Sequence, residues 1–242
     1  MVHVKMPRST KVAQDVLDER TDTRKNIKVA ARRLFAEHGL EAVTVREIVA
    51  AAGAKNGGSL NYYFKSKEGL VLELINEIFN DLSVVWFERI SELDRKGGPT
   101  SVREVVDIIV RAPNPDIHTD PSPTAIRFLA SVMFVRRKDV ASYLDRMNIL
   151  VYRRLLQLIS GLCQHIPAPV LRQRLIFFAW YTLSVEAARE AWVASRRRSD
   201  LWTQTDPQLN LVETATALIE AGIPQAAPDP APPKRGRTKR SD

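Results

Sequence analysis

Cysteine, histidine and long apolar runs are the features that this sequence nearly lacks. Its one cysteine, Cys163, excludes an internal disulfide and a cysteine-built zinc site. Its histidines are too scattered for metal-ligand spacing, so no metal site is expected: His3, His38, His118 and His165. No apolar run reaches the roughly 18 residues that a membrane-spanning helix requires. The N-terminus lacks the apolar stretch of a secretory signal, so we expect a cytoplasmic protein with no membrane partner.

Motifs of common enzyme classes are absent as well. There is no G-x-S-x-G nucleophile elbow and no glycine loop ending in Gly-Lys-Ser/Thr. The adjacent Gly57 and Gly58 are too little to cradle a nucleotide phosphate. The sequence therefore predicts no catalysis and no cofactor.

Basic residues are concentrated in one part of the chain. The net charge is +8, and residues 21–67 hold nine Lys or Arg against four Asp or Glu. Residues 68–224 are nearly balanced, with 18 Lys or Arg against 19 Asp or Glu. A smaller basic excess lies in residues 225–242, with five against two. A local excess of this kind is typical of a segment that binds phosphates.

Residues 43–53 have the pattern of a short helix with marked ends. Thr44 and Glu47 fit a capping box, in which each side chain accepts from the other's backbone N–H. Val43 and Ile48 are placed to form a hydrophobic staple over the helix start. Gly53 ends the helix, because glycine adopts the left-handed conformation without steric cost.

A second short helix is predicted, since Leu60, Tyr63 and Phe64 recur at helical spacing. It begins near the segment KNGGS of residues 55–59. Two helices joined by a tight glycine-containing turn indicate a helix-turn-helix. The start of the second helix in that motif enters the major groove of DNA.

These residues resemble the N-terminal domain of the tetracycline-repressor (TetR) family. The resemblance covers roughly residues 23–70 and rests on three segments: TVREI at 44–48, Ala52-Gly53 and LNYYFKSKEGL at 60–70. Between Gly53 and Phe64 the chain carries one residue more than the commonest family pattern. The resemblance implies an all-α protein, with an N-terminal three-helix helix-turn-helix DNA-binding domain and a larger C-terminal helical domain for ligand binding and dimerisation.

Bases are expected to be read at the start of the second helix. Lys55 can donate to guanine and Asn56 can pair bidentately with adenine, and Ser59 lies beside them. Gly57 and Gly58 either allow close backbone approach to DNA or form a flexible loop that orders on binding.

Phosphate contacts are expected from neighbouring residues. Thr44 and Arg46 lie at a helix N-terminus, whose dipole favours anions. The resemblance implies contacts to the sugar-phosphate backbone from four more residues: Asn61, Tyr62, Tyr63 and Lys67. Both tyrosine rings cannot leave a short helix on the same side, so at least one of them is expected to pack on the core.

Four segments are expected along the chain. They are a flexible arm over residues 1–20, the DNA-binding domain over 21–68, the helical body over 69–222 and a disordered Pro-rich basic tail over 223–242. The first helix is predicted from about Thr23 to His38, capped by Asp22 and ended by Gly39. Its surface carries five basic residues, Arg24, Lys25, Lys28, Arg32 and Arg33, and the N-terminal ones are expected to face a phosphate strand.

The body is predicted to be helical throughout. A long helix from Ser66 to about Arg95 is followed by helices near residues 100–112, 124–136, 139–164 and 169–196, and from Asp206 to Gly222. Small residues within 169–196 permit close approach of another helix. The resemblance implies that the last two helices pair with their copies in a homodimer, and that the long helix transmits ligand-driven movement. A role in the core alone is the alternative for the last two helices.

An unidentified small-molecule effector is implied by the resemblance. Candidate pocket residues are aromatic side chains and methionines at helical spacing, a pattern that an ordinary core shares. The main candidates are Trp86, Phe128, Met147, Phe177, Phe178 and Tyr181. The wider set adds Phe79, Phe87, Met133, Tyr152 and Trp180. Three arginines in apolar helices are candidates to meet an acidic effector: Arg127, Arg153 and Arg154.

The functional hypothesis is a homodimeric regulator that binds a double-stranded DNA operator. Repression of a near-palindromic operator, relieved by the effector, is the expected form, and activation remains open. Two other classes are alternatives: a helical ligand-binding or adaptor protein without DNA binding, and an all-helical enzyme. A gel shift separates the first two, and a turnover screen addresses the third.

Overall fold

The computed structural model describes residues 8–54, 58–112, 123–135, 150–195, 202 and 205–223. Nine α-helices and no β-strand lie within these ranges, which confirms the predicted all-α class for this part of the chain. The helices are α1 Arg8–His38, α2 Val45–Ala51, α3 Gly58–Phe64, α4 Lys67–Arg95, α5 Val102–Arg111, α6 Ala125–Val135, α7 Leu150–Leu162, α8 Ala168–Ser195 and α9 Pro207–Glu220. None of the helices in the described ranges is long and apolar enough to cross a bilayer.

Helix α1 is longer than the sequence analysis predicted. It begins at Arg8 rather than near Thr23, so Asp22 lies inside the helix and does not cap it. The reason is that residues 8–38 contain no proline or glycine that would interrupt a helix. Pro7 lies directly before the observed start of the helix. A single polar residue such as Asp22 does not stop a helix that neighbouring residues favour on both sides.

The end of α1 and both ends of α2 lie where the sequence predicted them. Thr44 Oγ1 accepts from Glu47 N at 3.3 Å, and Glu47 Oε2 accepts from Thr44 N at 2.7 Å, which completes the capping box at the start of α2. Gly39 after α1 and Gly53 after α2 both have a positive φ, of 82° and 65°. The chain therefore reverses at these two positions without the cost that a side chain would add.

The first three helices and the start of α4 share one apolar core. Ile27, Ala31 and Phe35 of α1 are fully buried, and they pack with buried side chains of α2 and α3 that include Ile48 and Leu60. Burial of this apolar area contributes roughly 25 cal/mol per Å² and is the main favourable term in the folding free energy of the small domain. The helix-turn-helix is therefore held by α1 and α4 and does not stand alone.

A tight joint connects α3 to α4. Lys65 adopts a positive φ of 69°, which is uncommon for a residue with a side chain. Ser66 caps α4, with its hydroxyl accepting from Gly69 N at 3.0 Å. A Cβ on Gly69 would clash with the backbone carbonyl oxygen of Phe64. Glycine at position 69 therefore lets the end of α3 lie directly against the first turn of α4.

The last two helices are tied to each other and to the body. Asp206 caps α9 by accepting from the N–H groups of Gln208 at 3.0 Å and Leu209 at 3.1 Å, with Pro207 in the first turn as predicted. The buried guanidinium of Arg174 on α8 donates to Ile219 O at 2.8 Å near the end of α9. Helix α9 packs against both α5 and α8, and α6 packs between α8 and α1.

Candidate functional site

Five of the eleven residues that the sequence analysis assigned to DNA are exposed on α2 and α3 or directly before α2. Thr44, Arg46, Gly58, Asn61 and Tyr62 are exposed there, and we call these five residues the α2–α3 face. Ser59 is half-buried in the first turn of α3. Three further predicted residues lie outside the described ranges: Lys55, Asn56 and Gly57.

Thr44 uses its donors within the domain. Its backbone N–H donates to Glu47 Oε2 at 2.7 Å, and its hydroxyl donates to the same oxygen at 2.8 Å. These hydrogen bonds lower the pKa of Glu47, with the backbone N–H of Thr44 as the largest cause. Among the described residues, Arg46 next to this cap makes no ion pair and no hydrogen bond through its guanidinium. Arg46 is thus the cation of the α2–α3 face available to an anionic partner.

The two tyrosines of α3 have different environments. Tyr62 is 61% exposed, whereas Tyr63 is half-buried and packs against the apolar core. Their rings meet edge to face with centroids 4.9 Å apart. The expectation that one ring joins the core is confirmed, and Tyr63 provides that ring.

Lys67 has an internal role that the sequence did not reveal. Its ammonium donates to the carbonyl oxygens of Leu40 and Val43, both at 2.6 Å, and lies 5.6 Å from the centroid of the Phe35 ring. These two carbonyls belong to the loop between α1 and α2. The predicted phosphate contact of Lys67 therefore competes with two hydrogen bonds that fix this loop to the start of α4.

Arg24 and Lys28, two of the basic residues of α1, form ion pairs with acidic residues of α4. Arg24 pairs with Glu73 at 2.6 Å, and Lys28 pairs with Glu77 at 2.6 Å. Their expected orientation towards phosphate is therefore replaced by ion pairs between helices. Lys65, which the sequence analysis had not selected, is exposed and makes no ion pair with a described residue. The sequence could have indicated Lys65 as a candidate for phosphate contact, since it directly follows the predicted end of α3.

A cavity of about 600 Å³ lies between five helices of the body. Its walls are mostly apolar and aromatic, and its polar side chains are few. It is lined by Phe79, Leu82 and Trp86 of α4, Ile109 and Val110 of α5, Ile126, Leu129 and Met133 of α6, Tyr152, Arg153 and Leu156 of α7, and Ile176, Ala179, Trp180, Thr182, Leu183 and Glu186 of α8. A volume between roughly 300 and 1,000 Å³ is usual for small-molecule sites.

Of the six main pocket candidates, Trp86 lines this cavity. Phe128 and Phe178 are fully buried in the core and do not line it, and Phe177 is 51% exposed. Tyr181 also lies outside the lining, with its hydroxyl 2.7 Å from Thr214 Oγ1. Met147 lies outside the described residues. Helical spacing alone does not separate a core face from a cavity face, and neighbouring helices decide which of them is covered.

More of the wider set of candidates lies at the cavity. Four of its members line the cavity: Phe79, Met133, Tyr152 and Trp180. Of the three arginines, Arg153 lines it, whereas Arg154 lies 3.9 Å from Asp94 and Arg127 donates to Pro123 O at 3.2 Å.

Helix α6 touches both the cavity and α1 of the N-terminal domain. On the cavity side it contributes Ile126, and on the other side Phe128 stacks on Phe35 with ring centroids 5.9 Å apart. Thr124, just before α6, accepts from Arg32 Nε at 3.0 Å. No sequence pattern indicated this contact, because the two residues are 92 positions apart.

The start of α6 is held from α8 by a buried carboxylate. Glu190 accepts from the backbone N–H of Ile126 at 3.0 Å and from that of Arg127 at 2.8 Å. Burial raises the pKa of Glu190, and the two N–H donors oppose this shift. The carboxylate satisfies helix N–H groups that would otherwise be unpaired in the interior.

Comparison with known proteins identifies the N-terminal domain. The sequence model described as "Bacterial regulatory proteins, tetR family" matches residues 27–74. The HTH-type transcriptional repressor AcnR of Corynebacterium glutamicum is 45% identical over 60 residues, which are 25% of this chain and 31% of that protein. The HTH-type transcriptional repressor KstR2 of Rhodococcus jostii is 50% identical over 52 residues, which are 22% of this chain and 25% of that protein. These matches span less than a third of each repressor.

One solved structure extends the similarity in fold to the body. A TetR family transcription regulator from Marinobacter aquaeolei VT8 aligns with a TM-score of 0.53 over 84% of this chain and 95% of its own. The sequences are 18% identical, so this similarity concerns the arrangement of helices.

Proposed function

We propose that this chain, whose residues 27–74 match the TetR family model, is a homodimeric transcriptional regulator that binds a near-palindromic DNA operator. Binding of a small molecule in the cavity of the body releases the DNA. Repression is the expected outcome, since the matched relatives AcnR and KstR2 are named as transcriptional repressors. The observation that carries the proposal is an exposed α2–α3 face on a domain of this family.

The chemistry of the α2–α3 face suits a DNA duplex. Arg46 and Tyr62 supply a charge and a hydroxyl for phosphates, and Asn61 supplies an amide. Gly58 and Ser59 open α3, next to the predicted base-reading residues Lys55 and Asn56. Phosphate contacts from α2 and the end of α3 would set the orientation, and the start of α3 would read the bases.

Helix α8 supports the proposed dimer. Phe177, Ser184, Ala188 and Ala191 are all exposed, and their spacing of seven, four and three residues puts them on one side of the helix. Small residues at such spacing let a second helix approach closely, and an exposed phenylalanine adds apolar area. A second copy of α8 would cover this face and set the distance between two α2–α3 faces.

Helix α6 supports a route from the cavity to DNA. A ligand that displaces Ile126 or Leu129 acts on a helix whose start is bonded to Arg32 and whose Phe128 stacks on Phe35. Movement of α6 would therefore be passed to α1 and from there to the α2–α3 face. A ligand releases DNA only if it binds more tightly to a conformation in which the two α2–α3 faces no longer fit the operator than to the conformation that does fit.

The test is DNA binding by matched variants. Footprinting on genomic fragments would find the operator, and a gel shift on it would compare Arg46→Ala with Arg103→Ala. Arg103 is an exposed arginine of the body that pairs with Glu213 at 2.6 Å, so its replacement removes the same charge away from the α2–α3 face. Arg46→Ala should lower affinity and reduce the slope of log affinity against log salt by roughly 0.9 for each phosphate that the variant no longer neutralises.

The result against the proposal would be equal behaviour of the two variants, or no preference of the protein among fragments. For the dimer, light scattering of Ala188→Glu should report a monomer where the unchanged chain gives a dimer, because two buried carboxylates would face each other. A monomeric unchanged chain would remove the basis for a palindromic operator.

A further inference from the structure

The cavity of the body has mostly apolar walls, and its few polar or charged lining side chains are Tyr152, Arg153, Thr182 and Glu186. Tyr152 of α7 lines it, and the ring of Tyr152 lies against that of Trp86 with centroids 5.3 Å apart. The Tyr152 hydroxyl makes no hydrogen bond with any described residue. The phenol of Tyr152 is protonated at neutral pH and can donate a hydrogen bond, and burial raises its pKa further, to about 12.

A second donor without an acceptor lies beside it. Trp86 is 3% exposed, and its indole Nε1 is buried with no hydrogen-bond partner among the described residues. Buried polar groups are nearly always paired, so the indole N–H of Trp86, next to the Tyr152 ring, points to an acceptor that no described residue supplies. An acceptor oxygen fits, because it has lone pairs and no proton to offer.

The charges around the cavity argue against an ionised ligand. Glu186 lines it with a buried side chain, and its Oε2 is paired with Arg189 at 2.7 Å. A second carboxylate placed nearby would be repelled and would lose its water. A cation would compete with Arg189 for the same carboxylate. Arg153 is the other charged lining residue, and its side chain is exposed to solvent.

Resting on the proposed function, in which this cavity binds the effector, we propose that the effector is an uncharged, mainly hydrocarbon molecule with a ketone-type carbonyl oxygen that accepts a hydrogen bond from the Tyr152 hydroxyl. The rings of Trp86 and Tyr152 hold the carbonyl end, and the apolar side chains of α5 and α6 hold the hydrocarbon. The Tyr152 hydroxyl provides the specificity, because the apolar walls accept hydrocarbons of many shapes. A ligand without an acceptor oxygen would leave this hydroxyl without a hydrogen bond.

The experiment uses prodan, a neutral naphthalene ketone whose emission shifts when its carbonyl accepts a hydrogen bond. Titration of the full chain without DNA should show saturable binding, and Tyr152→Phe should weaken it roughly 3- to 10-fold, as expected for one hydrogen bond. The emission of bound prodan should move to shorter wavelength in that variant. Tyr181→Phe is the control, because the Tyr181 hydroxyl bonds Thr214 outside the cavity lining.

Two further probes separate the alternatives. An analogue with a propyl group in place of the propionyl ketone should bind the unchanged chain and Tyr152→Phe equally, which also shows that the variant keeps its fold. The carboxylate 6-dimethylamino-2-naphthoate should bind at least tenfold more weakly than prodan. Equal prodan affinity in Tyr152→Phe, no saturable binding of prodan, or tighter binding of the carboxylate would overturn the proposal. None of these readouts uses DNA, so they are independent of whether Arg46→Ala impairs operator binding.

Discussion

Lys65 and Lys67 are two lysines at the same joint for which the structure predicts opposite effects. Lys67 donates to Leu40 O and Val43 O, both at 2.6 Å, whereas Lys65 is exposed without an ion pair to a described residue. Replacing each by methionine keeps the length and most of the apolar stem. The two variants therefore remove the same charge from the same region.

The expected decrease in stability of Lys67→Met follows from its two hydrogen bonds. A bond from a charged donor contributes about 1.5–3 kcal/mol, and partial access of water to this site reduces the sum to about 2–4 kcal/mol. For a chain of this size such a decrease lowers the melting temperature on the order of 10 °C. In Lys65→Met the stability should stay nearly unchanged, because lysine and methionine meet the same steric cost at the positive φ of 69°.

DNA binding should show the reverse order. Measured well below both melting temperatures, Lys65→Met should reduce the slope of log affinity against log salt by roughly 0.9 for each phosphate left without its cation. Lys67→Met should bind with a nearly unchanged slope. Urea unfolding followed by circular dichroism and a gel shift across several salt concentrations would measure both quantities. Unfolding of Lys67→Met at the same urea concentration as the unchanged chain would refute its structural role, and so would a reduced salt dependence in Lys67→Met alone.

Two further predictions concern the N-terminal domain. Gly69→Ala should destabilise the chain by more than about 2 kcal/mol, because the added Cβ would clash with Phe64 O. The control is Gly161→Ala, where the Cβ would meet open space and should stabilise α7 by up to roughly 1 kcal/mol. Equal melting temperatures for the two variants would contradict the close contact between α3 and α4. Because hydrogen bonds lower the pKa of Glu47 in the folded state, its contribution to stability is present above about pH 4.5 and is lost as the pH falls through the lowered value. The difference in unfolding midpoint between the unchanged chain and Glu47→Gln should therefore shrink on acidification, and a constant difference from pH 7 to pH 3 would argue against this cap.

Local interactions explain why several features were predictable from the sequence. The capping box of Thr44 and Glu47, the positive φ of Gly53 and the start of α9 at Asp206-Pro207 all depend on residues within four positions of each other. Such short-range hydrogen bonds form in any context in which the helix forms. The predicted start of α1 was wrong, because a capping residue such as Asp22 marks a helix end only where the preceding residues do not themselves favour the helix.

The family resemblance implied the all-α class, and the composition located the basic charge. The ends of α2 and the start of α9 were predictable because periodicity and end signals act over a few residues. Contacts between distant segments set the rest: Lys67 holds a loop, Trp86 and Tyr152 line a cavity while Phe128 and Phe178 fill the core, and α6 connects this cavity to α1. The reason is physical. The same apolar helix face becomes core or cavity wall according to which neighbouring helix covers it, and a lysine binds a carbonyl or a phosphate according to what the fold places within its reach.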